Sequence, residues 1–191
     1  PSTRHYWSTR WRLYPETKSH SCRLSPEVEV SASVTIRVQP ENFDVGTEWA
    51  ALAGRIDGCT GAIAVFMGLV RDVAGDGSDV LELEHYPGMT ERTIGEIVVR
   101  AKERWQLDDV LVIHRVGALL PRDPIVLVMV SSSHRAEAFA ACEFIMDFLK
   151  TDAVFWKNES SSKGSRWVEA TLGDRERQQE WDQDDLASRG R

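Results

Sequence analysis

Five basic residues stand where the chain changes direction: Arg71 directly after an apolar run, His134 and Arg135 at the start of a helical pattern, Lys150 at its end, and Lys157 inside the aromatic segment Phe155-Trp156-Lys157-Asn158. A helix start offers free backbone N–H groups and the positive end of the helix dipole, so a His-Arg pair there adds to a place that already attracts anions. Guanidinium groups grip phosphates, and clustered cations depress a lysine pKa until one amine can act as base or nucleophile near neutral pH. If Arg71, Arg135, Lys150 and Lys157 converge, they form a pocket for a small anion, with phosphate the first candidate. Each residue also has a plainer role. A lysine in a last helical turn complements the dipole, Lys157 fits the polar face of an amphipathic strand, and His134-Arg135 fit an ordinary helix start. His85 and His114 read as hydrogen-bonded structural groups, and Glu82 and Glu84 as the solvated face of a strand. Spacing alone does not decide between these roles.

The elements that must position these residues alternate between period-2 and period-3.6 patterns. Val34-Thr-Ile-Arg-Val38 is a strand, and Asp44 caps a helix over 46–55 whose inner face is Trp49, Leu52, Ala53 and Ile56. Gly61 to Val70 is a nearly continuous apolar run, the pattern of a strand buried on both faces. Leu81 to Tyr86 alternates as a half-exposed strand; Pro87-Gly88 breaks the chain, and Thr90 caps a helix to Trp105 with Ile94, Ile97, Val98 and Ala101 on one face. Val110–Val116, closed by His114 and Arg115, and Ile125–Val130 are strands joined by a Gly/Pro-punctuated loop. Ser131 to Ser133 offer caps for a helix from His134 to Lys150, and a last strand pair flanks the Ser160–Gly164 turn. Strands and helices without strict βαβ regularity, with hairpin-like pairs among them, predict an α+β fold.

A net charge of −7 over 191 residues argues against bulk nucleic-acid binding, but it averages unequal parts. Residues 1–25 hold Arg4, Arg10, Arg12, Lys18 and Arg23 against Glu16 alone, so the remainder carries −11. This Arg/Ser-rich, acid-poor stretch has the composition of a transit peptide, of an upstream extension, or of a disordered arm. It is read here as an arm outside the core, giving a basic extension over 1–33, a domain over 34–172 and a polar, acidic tail over 173–191. Apolar runs are too short for a membrane helix. Cys22, Cys59 and Cys142 form no Cys-x-x-Cys pair, which fits a reducing cytoplasm without a disulfide framework and gives no metal site. Walker, Gly-x-Gly-x-x-Gly, Gly-x-Ser-x-Gly and His-Glu-x-x-His motifs are absent, so nucleotide hydrolysis, serine hydrolysis and zinc proteolysis have nothing to rest on.

Seven ordered segments resemble the large, catalytic subunits of molybdopterin synthases. They are Gly61-Ala with Phe66-Met-Gly-Leu-Val-Arg71-Asp72, Leu83-Glu-His-Tyr-Pro-Gly-Met-Thr90, His114-Arg-Val-Gly117, Ser133-His-Arg135, Phe144-Ile-Met-Asp-Phe-Leu-Lys150, Phe155-Trp-Lys-Asn-Glu159 and Arg166-Trp-Val168. The resemblance implies a single-domain α/β hammerhead-type fold, with a mixed sheet and an additional small antiparallel sheet. It implies a homodimer within a heterotetramer, in which each large subunit binds one small ubiquitin-like subunit ending in a glycine thiocarboxylate. The reaction it implies is sulfur transfer from that thiocarboxylate to cyclic pyranopterin monophosphate, giving molybdopterin in molybdenum cofactor biosynthesis, with no cofactor of its own and no metal. By motif position, Lys150 and Lys157 match the family's functional lysines, and Arg71, His134 and Arg135 its substrate-binding residues; Glu159 lies in the second lysine's motif. One departure is Val154, where the family commonly has a proline, which loosens the backbone restriction before Lys157. Two alternatives remain: a non-catalytic pterin- or phosphate-binding module, and a docking scaffold for a ubiquitin-like protein.

Overall fold

The computed structural model describes residues 33–72, 80–153, 155–161, 164–168 and 171–189. The basic stretch before Ser33 and the Val154 position lie outside the described residues. Alternating β-branched residues form β1 (Ser33–Gln39), and Asp44 caps α1 (Val45–Ala53) by accepting from the Thr47 N–H at 2.7 Å. Of the face expected on α1, Leu52 is buried and Trp49 is exposed. β2 (Ala62–Leu69) and β3 (Val80–His85) precede α2 (Met89–Arg104). Its N-cap is Gly88 at φ 82°, not Thr90; the Glu91 carboxylate accepts from the Gly88 N–H at 2.6 Å, while buried Thr90 accepts from the Tyr86 N–H. β4 (Asp109–Arg115), a three-residue β5 (Gly117–Leu119) that the sequence pattern did not reveal, and β6 (Pro124–Ser132) lead into α3 (Arg135–Thr151). β7 (Phe155–Ser161), β8 (Gly164–Val168) and α4 (Leu172–Arg189) complete the chain.

The strands form two four-stranded sheets, a mixed one in the order β1-β4-β6-β2 and an antiparallel one in the order β5-β3-β7-β8. Only β1 and β4 pair in parallel in the first. The α+β class with a mixed and an antiparallel sheet is the expected one, although the second sheet has as many strands as the first. α2 and α3 cover one face of the mixed sheet, packing Ile94, Val98, Phe144, Ile145 and Phe148 on Val110, Val112, Val126, Val128 and Val130. Leu52 and Phe43 cover the other face over Leu111, Ile113, Leu127 and Met129. The central strands β4 and β6 are therefore the ones buried on both faces.

β2 corrects an expectation. Its apolar run was read as a doubly buried strand, yet Val65, Met67 and Leu69 are 46%, 43% and 49% exposed. The physical reason is its position at the edge of the mixed sheet, where helix cover ends. The caps of α3 differ too: none of Ser131–Ser133 is its N-cap, which is His134 without a side-chain bond, while the Ser132 hydroxyl accepts from the His134 N–H and donates to Glu137. Cys142 is a buried free thiol. Among the described residues no helix is long and apolar enough to cross a membrane.

Candidate active site

Two residues, Ser133 and His134, separate β6 from α3, so the helix must fold straight back over its strand. This decides which cations can meet. Arg135 and Lys150 sit in the first and last turns of α3, about 22 Å apart at 1.5 Å per residue. In the antiparallel β2–β6 pair, Ala62 faces Ser132 and Leu69 faces Pro124. Arg71, two residues past Leu69, therefore lies at the Pro124 end of the sheet, to which α3 returns with Lys150. His134 and Arg135 lie at the opposite end. The pocket of four cations expected if Arg71, Arg135, Lys150 and Lys157 converge is thus not assembled by one chain, because a 17-residue helix holds its two ends apart.

The Lys150 end is the one with structure around it. The Lys150 Nζ lies 3.4 Å from Asp174 Oδ1 at the head of α4. Asp174 is itself fixed: Oδ2 accepts from the Thr171 hydroxyl at 2.7 Å and from the Thr171 N–H, and Oδ1 accepts from Arg177. Burial opposes ionisation of Asp174, but the Thr171 hydrogen bonds and the Lys150 and Arg177 charges outweigh it and hold the carboxyl below its usual range. α4 is tied to α3 a second time, through Asp147, which accepts from Arg177 and from the Trp181 indole at 3.2 and 3.0 Å. Sequence reasoning missed this arrangement, although Thr171-Leu-Gly-Asp174 is a helix-start pattern that announces α4.

Lys157 comes from the other sheet. It sits on β7 opposite Leu83 of β3 and Val168 of β8. Strand alternation puts Phe155 and Lys157 on one face and Trp156 on the other, where it is exposed. The Phe155 ring stacks on His114. Burial, and then the Lys150 charge, push the Lys157 amine below the usual lysine range, and Asp174 pulls the other way. Lys157 has no hydrogen-bond partner among the described residues. The two lysines and Asp174 are thus near enough to act on one another, and one of the amines is biased towards losing its proton.

The remaining candidates are less built. Arg71, His134 and Arg135 are exposed. Glu159 lies on β7 opposite Leu81 and Arg166, and its side chain lies outside what is described. His85 approaches Glu91 at 3.9 Å, and His114 is buried with Nδ1 on the Arg115 carbonyl, so both fit structural histidines. An open cleft of about 390 Å³ beside Lys102, Arg104, Gln106 and Ser133 lies at the His134 end of α3 and contains neither lysine. No group of three or more His, Cys, Asp or Glu residues suited to a metal occurs among the described residues.

The family model described as MoaE protein matches residues 38–152, which include Arg71, His134, Arg135 and Lys150 but stop short of Lys157. The molybdopterin synthase catalytic subunit of Ralstonia nicotianae is 58% identical over 150 residues, covering 77% of this chain and 84% of that protein. Its namesake from Escherichia coli is 50% identical over 151 residues, covering 78% and 99%. Among solved structures, the molybdopterin biosynthesis MoaE protein of Burkholderia ambifaria superposes with a TM-score of 0.67 at 48% identity, over 78% of this chain and 97% of that one. A molybdopterin synthase structure from Staphylococcus aureus gives a TM-score of 0.60 at 29% identity, over 72% and 96%. A family model that spans more than half of the chain, relatives at half identity or more over 84% and 99% of their length, and solved structures that superpose on it agree: the chain belongs to the MoaE protein family.

Proposed function

We propose that this chain is the catalytic subunit of a molybdopterin synthase, which converts cyclic pyranopterin monophosphate to molybdopterin with sulfur from the thiocarboxylated C-terminus of a small ubiquitin-like partner. The observation that supports the reading is the Lys150–Asp174 ion pair at the head of α4, together with a half-buried Lys157 whose pKa is lowered by burial and by the Lys150 charge. An amine whose pKa is lowered beside a cation suits proton transfer next to an anionic substrate. Arg71 supplies a guanidinium for the substrate phosphate from the same end of the sheet. No cysteine of this chain is needed, because the sulfur arrives on the partner; burial raises the Cys142 thiol to about 12, far from a usable thiolate. A cytoplasmic setting goes with this chemistry.

The reading includes a homodimer. His134 and Arg135 can join the lysine site only from a second copy, since α3 separates them from Lys150 by about 22 Å in their own chain. The exposed Val65, Met67 and Leu69 on edge strand β2 give an apolar surface for self-association. Each copy would then hold one small subunit, making the heterotetramer.

Incubating the chain with thiocarboxylated partner and pterin substrate tests the function: dithiolene formation is the expected result. Substrate binding without dithiolene would leave a binding module, and unchanged biological activity of Lys150→Ala and Lys157→Ala chains would leave a docking scaffold. The shared site is tested by mixing Arg135→Ala and Lys157→Ala chains, each inactive alone. Random reassortment into dimers restores about a quarter of the sites if the copies complement each other, and none if each chain works alone.

A further inference from the structure

Asp174 lies outside the lysine and arginine motifs, yet it is the group around which the lysine end of the site is organised. Its carboxylate sits at the head of α4 with only 12% of the side chain exposed, while Lys150 is 47% exposed. Three independent contacts fix it before Lys150 is considered: the Thr171 hydroxyl, the Thr171 N–H and the Arg177 guanidinium. Arg177 is in turn held by Asp147 on α3, so the carboxylate cannot follow a wandering lysine and the lysine must come to it. A long side chain in a last helical turn otherwise samples many rotamers, and a fixed counter-charge at 3.4 Å selects among them.

We propose that Asp174 is a positioning residue of this site: anchored by Thr171 and Arg177, it holds the Lys150 amine beside Lys157 and makes the two lysines inequivalent. Lys150 is the paired amine, and Lys157, with no such partner among the described residues, is the one left to exchange a proton. The charged and titratable groups facing this cluster are Glu143 and Asp147 on α3, Arg177 and Glu180 on α4, and His114 and His85 on β4 and β3. Among these carboxylates Asp174 is the one that contacts Lys150 and opposes the lowering of the Lys157 pKa. The inference rests on the sulfur-transfer reading for its consequence in turnover, but not for the ion pair itself.

The test uses the full chain as Asp174→Asn, Asp174→Glu and Thr171→Ala, with turnover measured against pH and the Lys157 amine followed by ¹³Cε NMR titration. Removing the carboxylate removes what pulls the Lys157 pKa upward, so Asp174→Asn is expected to move the Lys157 midpoint, and the limb of kcat that follows it, to lower pH. In the same variant kcat falls about tenfold with KM within about twofold, the pattern of lost positioning and not of lost binding. Asp174→Glu restores part of kcat. Thr171→Ala removes the hydroxyl anchor but keeps the carboxylate and its Arg177 contact; it lowers Tm and moves the midpoint in the same direction by less than Asp174→Asn does. An unmoved midpoint and kcat in Asp174→Asn would overturn the proposal, and so would an equal shift in Thr171→Ala. If the unsubstituted chain makes no dithiolene, the sulfur-transfer reading fails, and the NMR midpoint alone then decides for or against Asp174.

Discussion

The imidazole of His114 lies against the ring of Phe155 with centroids 3.9 Å apart and planes 20° apart, so the last residues of β4 and the first residue of β7 are joined face to face. Phe155 is two residues from Lys157 and on the same side of its strand. The stack therefore fixes the strand that carries the amine, and links the mixed sheet to the antiparallel one next to the site. Phe155→Leu keeps an apolar group but loses the stacked ring. It is expected to cost about 1–2 kcal/mol in urea denaturation. Turnover should fall by more than that loss of folded protein explains, because Lys157 is displaced.

His114 makes stability depend on pH in a stated direction. Burial, against the help of its bond to the Arg115 carbonyl, pushes its pKa from 6.5 down to about 4. Between those values the unfolded chain takes up a proton that the folded chain refuses. Stability from this group is therefore complete above pH 6.5 and is lost as the pH falls towards 4, by up to about 3 kcal/mol. His114→Gln should flatten this part of the Tm–pH curve relative to the unsubstituted chain; parallel curves would show that another group governs it.

Gly61 precedes β2, and its N–H donates to the Ser132 carbonyl at 3.1 Å. A Cβ at this position would meet the Ser133 carbonyl oxygen at 2.3 Å, against backbone that cannot swing aside. Gly61→Ala is thus expected to destabilise by about 1–3 kcal/mol through overpacking. The strain falls on the two-residue link to α3, so Arg135-dependent substrate affinity should weaken while the Lys157 titration stays unchanged. Denaturant melts and substrate titration check both halves.

Asp147 holds α4 through two bonds on its two carboxylate oxygens, to Arg177 and to Trp181. Asp147→Ala takes the acceptor from the Trp181 indole and one of two carboxylates from Arg177, and is expected to cost about 1–3 kcal/mol. Hydrogen exchange should quicken first in α4, ahead of the β4–β6 core. Uniform quickening would mean that α4 is an integral part of the core rather than a helix fastened to it by this carboxylate.

Much of the site was readable from residue types in order. The Phe155-Trp156-Lys157 segment, the Lys150 helix end and the basic helix start are local signals, as is Asp44 capping α1. Long amphipathic stretches such as Ile94 to Ala101 revealed α2 because 3.6-residue spacing is imposed by the backbone itself. Three residues, Gly117 to Leu119, gave no period to read, and β5 went unseen.

Sequence alone determined which residues have chemistry to offer and that the elements are α+β, since propensity, capping and periodicity act over a few neighbours. Only the tertiary structure decided which of those residues meet. The fold-back of α3 over β6 brings Lys150 to the same end of the sheet as Arg71 and sends Arg135 to the far end. Edge position exposes β2, whose composition matches a buried strand. The meeting of Asp174 with Lys150, 24 residues apart in the chain, depends on how α4 packs on α3. Distance through space, burial and counter-charge belong to the packed chain, and these are the quantities that pair Lys150 with Asp174 and lower the pKa of Lys157.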